Sequence, residues 1–155
     1  MSQTISPLVK EMITQNKVTC GVTLSKVSPE NAELRLTEEA NSVRFIYRHI
    51  AETTNMFGFF FGLQPAIENT TMGQQDTGQG ADVLQSKELI ETGYKLFEGL
   101  AEIAEDEFWL EEVDTPFFGK VSRFRLFSHV MYHIGHHSGQ IAMILSKAPK
   151  SQAGE

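Results

Sequence analysis

Apolar residues recur at steps of three and four along four stretches of this chain, which is the spacing of one face of an α-helix. The first stretch begins at Ser6-Pro7, the pattern of an N-cap followed by proline at the first helical position. The others run from about Glu38 to about Gly62, from about Val83 or Ser86 to about Glu105, and from about Val121 to Lys147. Extended segments are indicated only at 18–22 and 108–113. The sequence therefore predicts an all-α fold, specifically a four-helix bundle.

The longest predicted loop covers residues 68–81, ENTTMGQQDTGQGA, which contain little apolar material. Loops of this length in a compact domain are often functional or mobile. A chain of 155 residues with 41% apolar content is long enough to form one compact domain with a sizeable core. We therefore predict a single domain over residues 1–147, followed by a polar tail over residues 148–155.

Charge and composition limit the partners and the compartment of the protein. The net charge is −7 and the thirteen Lys and Arg residues are scattered, so no basic patch is indicated for nucleic-acid phosphates or anionic lipids. No stretch approaches about eighteen consecutive apolar residues, and the N-terminus lacks the pattern of a secretory signal. The one cysteine, Cys20, excludes an internal disulfide. These features predict a cytoplasmic protein that binds neither nucleic acid nor membrane.

The cysteine and several aromatic residues have a structural interpretation beside a functional one. Cys20 lies among β-branched residues with no histidine near it in sequence, which favours a buried, inert thiol over a nucleophile. The cluster Phe57–Phe61 is interpreted as a core or dimer contact, with a hydrophobic substrate pocket as the alternative. Trp109 is a candidate pocket lid or interface residue. Taken as exposed together with Phe117 and Phe118, it makes a homodimer a reasonable hypothesis.

Four of the five histidines fall within residues 129–141, HVMYHIGHHSGQI. His129, His133 and His137 are spaced by four, so on a helix they form one stripe, whereas His136 points away from it. Two imidazoles four residues apart can bind one metal ion at about 2 Å from each nitrogen. A single histidine on such a helix is more often a core or rim residue. Here the flanking residues are apolar, and buried imidazoles without partners cost free energy, which favours a metal.

A histidine pair alone leaves a divalent ion under-coordinated, and the candidate third ligand is His49 on the second predicted helix. It is three residues from Ile46, which places it on the core side of that helix. A core histidine bonded to a backbone carbonyl is the alternative. Glu52, three residues after His49, either orients the ring as a hydrogen-bond acceptor or is solvated, and the sequence leaves both open.

Two segments of the chain resemble the DinB-like family. They are SVRFIYRHIAE around His49 and LFSHVMYHIGHHSGQI from Leu126 to Ile141. TPFFGK, which precedes the last predicted helix, is also similar to that family's link into it. The resemblance covers about residues 8–147 and implies a four-helix bundle with a three-histidine metal site.

By the pattern of the family, the implied metal ligands are His49, His133 and His137. His129 and His136 match histidines that are not ligands in that pattern. Many members read HHRGQ where this chain reads HHSGQ, so Ser138 stands in place of an arginine. That arginine is not a ligand, and the departure concerns only an anion contact or a helix–helix pairing.

Three neutral imidazoles with one open position form the arrangement of a catalytic metal, and zinc or nickel is expected here. The resemblance implies a transferase that joins a low-molecular-weight thiol to an electrophile. Other members are described as metal-dependent hydrolases, but the residue after His133 is Ile134, so no glutamate base like that of HExxH follows. A non-enzymatic helical protein, with a structural metal or with none, is the remaining alternative.

Glu52, Tyr47 and Tyr132 are the polar groups best placed to reach a substrate, which makes them candidate catalytic residues. Each also has an ordinary interpretation as a rim residue of an amphipathic helix. The sequence names neither the thiol nor the electrophile.

Overall fold

The computed structural model describes residues 3–149, which form a mostly helical fold with one small sheet. Its elements in chain order are α1 (Ile5–Leu24), α2 (Val43–Phe57), a 3-10 helix (Gly58–Phe61), α3 (Val83–Ile103), α4 (Asp106–Leu110), β1 (Glu112–Thr115), β2 (Gly119–Ser122) and α5 (Arg123–Lys147). The predicted all-α class therefore fits broadly. Within this range no helix is both long and apolar enough to cross a membrane. Most of the predicted polar tail, residues 150–155, lies outside the described residues.

The start of α1 differs from the prediction, because Ser6 is not its N-cap. The helix begins at Ile5, whose N–H donates to Asp106 Oδ1 at 2.7 Å. Ser6 is buried, and its hydroxyl donates to the carbonyl of Ala104 at 2.6 Å. The same hydroxyl accepts a hydrogen bond from Trp109 Nε1 at 2.9 Å. These contacts fasten the first helix to α4 and to the end of α3.

Trp109 is a core residue, so its prediction as an exposed interface residue or a pocket lid is wrong. Its side chain is 0% exposed and packs against Phe61 and Phe127, with ring centroids 6.1 and 5.8 Å away. A buried tryptophan needs an acceptor for its N–H, and Ser6 supplies one. Phe117 is exposed as predicted. The homodimer stays a prediction, without the support that an exposed Trp109 would have given it.

The second helix starts at Val43 rather than near Glu38, because Ser42 is its N-cap. The Ser42 hydroxyl accepts from the N–H of Phe45 at 3.4 Å and donates to Asp76 Oδ2 at 2.6 Å. Asp76 Oδ2 also accepts from the N–H of Ser42 at 2.8 Å. The start of the helix therefore depends on a carboxylate 34 residues further along the chain.

The segment between the 3-10 helix and α3 folds back onto α2. Gly62, where the second predicted helix was expected to end, directly follows the 3-10 helix as its C-cap. Its φ of +78° is a left-handed conformation that glycine adopts without strain. Near the other end of the segment, Gly80 has φ +77°, and a Cβ there would lie 2.4 Å from the carbonyl oxygen of Arg44. Only glycine permits this approach, which brings the predicted long loop against α2.

A two-stranded hairpin precedes α5, although the sequence contained few strand signals. β1 and β2 pair antiparallel, and the Thr115 hydroxyl closes their turn. It donates to the carbonyl of Gly119 at 2.9 Å and accepts from the N–H of Phe118 at 3.0 Å. Two segments were predicted to have an extended conformation. Residues 18–22 are helical instead, and residues 108–113 are extended only at their C-terminal end.

The four long helices form a ring of neighbours in which α1 and α2 each pack chiefly against both α3 and α5. Their largest fully buried side chains include Phe97, Phe127, Ile13, Ile50, Leu126, Ile134 and Ile141. The approach of α3 to α2 is close at Gly93, where a Cβ would lie 2.7 Å from Thr54 Cγ2. Since α2 and α5 are neighbours, side chains far apart in sequence meet between them.

Ser138, at the position where the resemblance would place an arginine, is buried on α5. Burial raises the pKa of Cys20 on α1, and the nearby Ser138 side chain offsets only part of that effect. The thiol is therefore buried and held protonated, as predicted for an inert cysteine. An arginine at 138 would have to place its charge in this interface.

Candidate metal centre

Three histidines converge between α2 and α5. His133 Nε2 lies 3.2 Å from His49 Nε2 and 3.1 Å from His137 Nε2. One ligand atom from each of the three rings lies within 4.8 Å of the other two. The helix pairing therefore brings the upstream histidine, 84 residues from His133, to the pair on α5. Together the three side chains could hold a divalent metal ion.

The spacing of these nitrogens fits a tetrahedral ion. Metal–nitrogen distances of about 2.0–2.1 Å at the tetrahedral angle separate two ligand nitrogens by about 3.3 Å. The two Nε2 contacts of His133 are close to that value. Unprotonated Nε2 atoms this close repel one another through their lone pairs, and a cation between them converts the repulsion into attraction.

The outward-facing nitrogen of His49 shows that its Nε2 is free to bind a metal. His49 Nδ1 lies 3.1 Å from Thr71 Oγ1. The Thr71 hydroxyl gives its own proton to Glu52 Oε2 at 2.7 Å, so its oxygen accepts the proton of His49 Nδ1. This network fixes the tautomer in which Nε2 carries a lone pair directed at the other two histidines.

Hydrogen bonds fix the same tautomer in the two histidines of α5. His133 Nδ1 lies 3.3 Å from Thr53 Oγ1, and that hydroxyl donates to the carbonyl of His49 at 2.6 Å, so it accepts from the ring. His137 Nδ1 lies 2.6 Å from Gln140 Oε1, which can only accept. Each of the three rings thus has an oxygen acceptor at Nδ1 and an unprotonated Nε2, the arrangement that metal-binding histidines adopt.

Burial keeps these imidazoles neutral. The pKa of His49 is lowered to about 4, chiefly by burial and also by the nearby His137, while Glu52 acts in the opposite direction. Burial and the neighbouring histidines, His137 first, lower the pKa of His133 to about 3. Burial also lowers the pKa of His137. Near neutral pH the rings are therefore neutral, the state that coordinates a metal.

Glu52 is fully buried behind His49, so the interpretation as a solvated residue is wrong. Its carboxylate accepts from the N–H of Thr70 and of Thr71 at 2.9 and 3.0 Å, and from their hydroxyls at 2.6 and 2.7 Å. Arg48 Nε donates to it at 2.8 Å. Burial acts to raise the pKa of Glu52, but these hydrogen bonds outweigh it and lower that pKa. The anionic carboxylate orients His49 through Thr71 rather than by direct contact.

The other two histidines lie beside the cluster and outside it. The ring of His129 packs against Phe118 and Phe57 at centroid distances of 4.7 and 5.6 Å. His136 is exposed, with its ring 5.7 Å from that of Tyr132. Neither belongs to the group that could hold a metal. That neither is a ligand stays a prediction.

A cavity of about 230 Å³ opens in front of the histidines. Its polar lining comes from His49, Thr71, His137 and the amides of Asn41, Gln74 and Gln140. Among the described residues that line it, none is acidic or basic apart from the histidines. A ligand in this cavity would therefore reach the metal position from a neutral, amide-rich side.

The three candidate catalytic residues occupy different places. Glu52 is 0% exposed, and its oxygens are engaged by the loop and by Arg48. Tyr47 is buried and lines a cavity that contains Lys17 and Tyr94 but none of the three histidines. Tyr132 is 63% exposed and lines a third cavity. His129, which lies one helical turn before His133, lines the same cavity. The structure therefore brings none of the three to the cavity that contains His49, and their catalytic roles stay predictions.

The cluster Phe57–Phe61 is divided between the core and an open apolar cavity, and its roles as a substrate pocket or dimer contact stay predictions. Phe61 is buried and packs against Phe97 with a centroid distance of 5.1 Å. Phe59 and Phe60, together with Phe117, line an open apolar cavity of about 250 Å³. Core packing and a hydrophobic pocket are therefore found within one five-residue segment.

Thr53, Thr71 and Gln140 were not predicted, although each one holds a histidine ring. Thr53 follows His49 by four residues and Gln140 follows His137 by three, spacings that place them on the same helix faces. That signal was readable in the sequence. Thr71 lies in an irregular loop, where no periodicity indicates which way a side chain points.

A search of curated proteins found no match to the chain. A comparison with protein-family models found a match that covers nearly the whole sequence. The DinB family model matches residues 1–150, a range that includes all three converging histidines. The chain therefore belongs to the DinB family.

Proposed function

We propose that the protein binds one divalent metal ion through His49, His133 and His137 and uses it to join a low-molecular-weight thiol to an electrophile. The observation that carries the proposal is the convergence of three Nε2 atoms whose Nδ1 partners are all oxygen acceptors. Zinc and nickel are the proposed ions, since both accept imidazole ligands. The ring of four long helices is proposed to be the four-helix bundle that presents this site.

A bound divalent ion with one open position would lower the pKa of a coordinating thiol and so supply a nucleophilic sulfur at neutral pH. In the reaction a carbon–sulfur bond forms while a carbon–halogen or epoxide carbon–oxygen bond breaks. With a halide the products are a thioether, a halide ion and the thiol's proton. With an epoxide the proton ends on the alkoxide oxygen. No oxidant or reductant is consumed.

The residues of the chain have positioning roles in this proposal. Thr71, Thr53 and Gln140 hold the three rings in the tautomer that leaves Nε2 available. The cavity in front of them admits a neutral ligand past Asn41 and Gln74. None of the described residues that line it is a carboxylate that could act as a general base for water, which favours thiol transfer over hydrolysis.

Metal content tests the ligand set. Protein purified without an affinity tag is expected to contain about one divalent ion per chain by elemental mass spectrometry. His49→Ala and His133→Ala should each lose it, because two imidazoles leave the ion under-coordinated. His129→Ala and His136→Ala are the matched controls, since both remove a histidine of α5 and should retain the ion. Full metal content in His49→Ala would contradict the proposal.

Turnover tests the transferase step separately. The metal-loaded protein is incubated with a panel of cellular thiols and either a halo-aromatic compound or an epoxide, and thioether formation is followed by mass spectrometry. We expect thioether formation that chelation abolishes and that His129→Ala retains. Stoichiometric metal without any consumption of electrophile would instead support a structural ion that links α2 to α5.

A further inference from the structure

A larger cavity lies next to the one in front of the histidines. The second cavity, of about 490 Å³, lies between the C-terminal half of α5 and the segment that leads into α2. Asn41, Ile46 and Gln140 line both cavities, so the two are adjacent along a shared wall. A ligand in front of the histidines would have to pass Asn41 and Gln140 to reach the second cavity.

The lining changes in character along this path. Beyond the amides of Asn41 and Gln140, the second cavity is lined mainly by aliphatic side chains: Leu36, Ala40, Ile46, Met143 and Ile144. Leu36 and Met143 are 41% and 52% exposed, although both are large apolar residues. Covering such apolar side chains with an apolar part of a ligand removes them from water, which favours binding.

Charge is the second property of the path. Among the described residues that line the two cavities, none is Asp, Glu, Lys or Arg, and the titratable side chains are the imidazoles of His49, His136 and His137. A carboxylate or ammonium group on a ligand would lose hydration there without gaining a permanently charged partner. The lining thus favours an uncharged ligand that has a polar group near the amides and an aliphatic part beyond them.

From this we propose that the protein selects thiols that carry an uncharged aliphatic arm, which lies in the cavity lined by Leu36, Ile46, Met143 and Ile144. The proposal rests on the metal-dependent thiol transfer proposed above and names the substrate class of that site. The sulfur occupies the position in front of His49 and His137. The arm passes Asn41 and Gln140 and covers the exposed aliphatic side chains.

Two glycines of α5 provide a matched pair of variants. Gly139 lines the second cavity, and a Cβ at this position meets no atom within 4 Å, so a leucine there would project into open space. Gly135, one turn earlier, lines neither cavity and is equally free of neighbours. Both substitutions replace a helical glycine by a better helix former, so a difference between them reports on the cavity.

The probes are 2-mercaptoethanol, 6-mercapto-1-hexanol and 6-mercaptohexanoate, titrated into zinc-loaded, desalted protein by calorimetry. We expect 6-mercapto-1-hexanol to bind at least about tenfold more tightly than 2-mercaptoethanol, because its arm buries additional methylenes. 6-Mercaptohexanoate should bind several-fold more weakly than the alcohol of the same length. Gly139→Leu should remove most of the advantage of the long alcohol and leave 2-mercaptoethanol within about twofold, while Gly135→Leu changes neither.

The outcomes separate this inference from the proposed function. If zinc does not bind, both fail together. If zinc and 2-mercaptoethanol bind, but the long alcohol has no advantage or Gly139→Leu leaves that advantage intact, the arm cavity is wrong and the metal site stands. Thiol affinities unaffected by Gly139→Leu, with a change of oligomeric state in that variant alone, would assign the aliphatic surface to a second copy of the chain and overturn the inference.

Discussion

Glu52 holds Thr71 by two hydrogen bonds, one from its backbone N–H at 3.0 Å and one from its hydroxyl at 2.7 Å. The second bond directs the hydroxyl proton away from His49, so that the Thr71 oxygen accepts from His49 Nδ1 at 3.1 Å. A buried carboxylate thereby sets the tautomer of a metal-facing ring without touching it. Thr71 lies in the long loop predicted over residues 68–81, so this loop connects Glu52 to His49.

Thr71→Val is expected to weaken zinc binding by about ten- to a hundredfold, because the variant leaves His49 Nδ1 without its acceptor. Thr70→Val is the matched control. It also removes one hydroxyl donor to Glu52, at 2.6 Å, but Thr70 does not contact His49. Competition titration with a chromogenic zinc chelator measures both affinities. Equal losses in the two variants would show that Thr71 acts only through loop stability.

Glu52→Gln is expected to loosen the segment around Thr70 and Thr71 while α2 stays folded. The neutral amide keeps the shape of the side chain but loses the charge that strengthens the hydrogen bonds of both residues and of Arg48. Hydrogen exchange of the Thr70 and Thr71 amides should accelerate by at least about tenfold. Amides in the middle of α1 serve as the internal reference, and unchanged protection of the loop would argue against the clamp.

Gly93→Ala is expected to destabilise the protein by about 1–3 kcal/mol, because the new methyl group would lie 2.7 Å from Thr54 Cγ2 between α2 and α3. Gly99→Ala, on the same helix, meets no atom within 4 Å and should stabilise the protein by about 0.5–1 kcal/mol through helix propensity. Denaturant unfolding of the two variants measures opposite changes. A neutral Gly93→Ala would mean that the two helices separate without cost.

Asp76→Asn tests how the long loop is fixed at Ser42. Burial acts to raise the pKa of Asp76, but hydrogen bonds from Ser42 and from the Gly78 N–H, with a contribution from Arg35, lower it overall. A folded-state pKa below the unfolded value of about 3.9 means that the stabilisation is complete above that pH and is lost as the pH falls further. Wild type should therefore exceed the variant by about 1–3 kcal/mol at pH 7.

That difference should shrink as the pH falls below about 4, because protonated Asp76 resembles the amide. Chemical denaturation of metal-free protein at several pH values provides the comparison, and contributions common to both proteins, such as those of the histidines, cancel in the difference. A gap that stays constant down to pH 3 would indicate that the charge of Asp76 is not what holds the loop.

Helical periodicity predicted the long helices well, and it predicted the histidine stripe because both depend on local spacing. The upstream histidine was predicted to join the others from its position on the core side of its helix, and the pairing of α2 with α5 brings it to His133. The start of α2 was missed because Ser42 caps it with help from Asp76, 34 residues away. Trp109 was misplaced for a similar reason, since its acceptor Ser6 is 103 residues distant.

The residues around the histidines show where sequence reasoning ends. Gln140 and Thr53 share helix faces with His137 and His49, so a search at helical spacing could have found them. Thr71 could not have been found in that way, because the direction of an irregular segment depends on long-range contacts such as those to Glu52. Gly80, which permits the loop to touch the carbonyl of Arg44, is recognised only once its φ is known.

The sequence separation of 84 residues between His49 and His133 has a thermodynamic consequence for the histidine cluster. An ion that bridges them is a cross-link which the unfolded polypeptide does not possess, so its binding energy adds directly to the native state. A free ion at a hundred times its dissociation constant would contribute about 2.7 kcal/mol. The thermal unfolding temperature of such a protein would then depend on the free concentration of the ion, and the protein would unfold at a lower temperature where the ion is scarce.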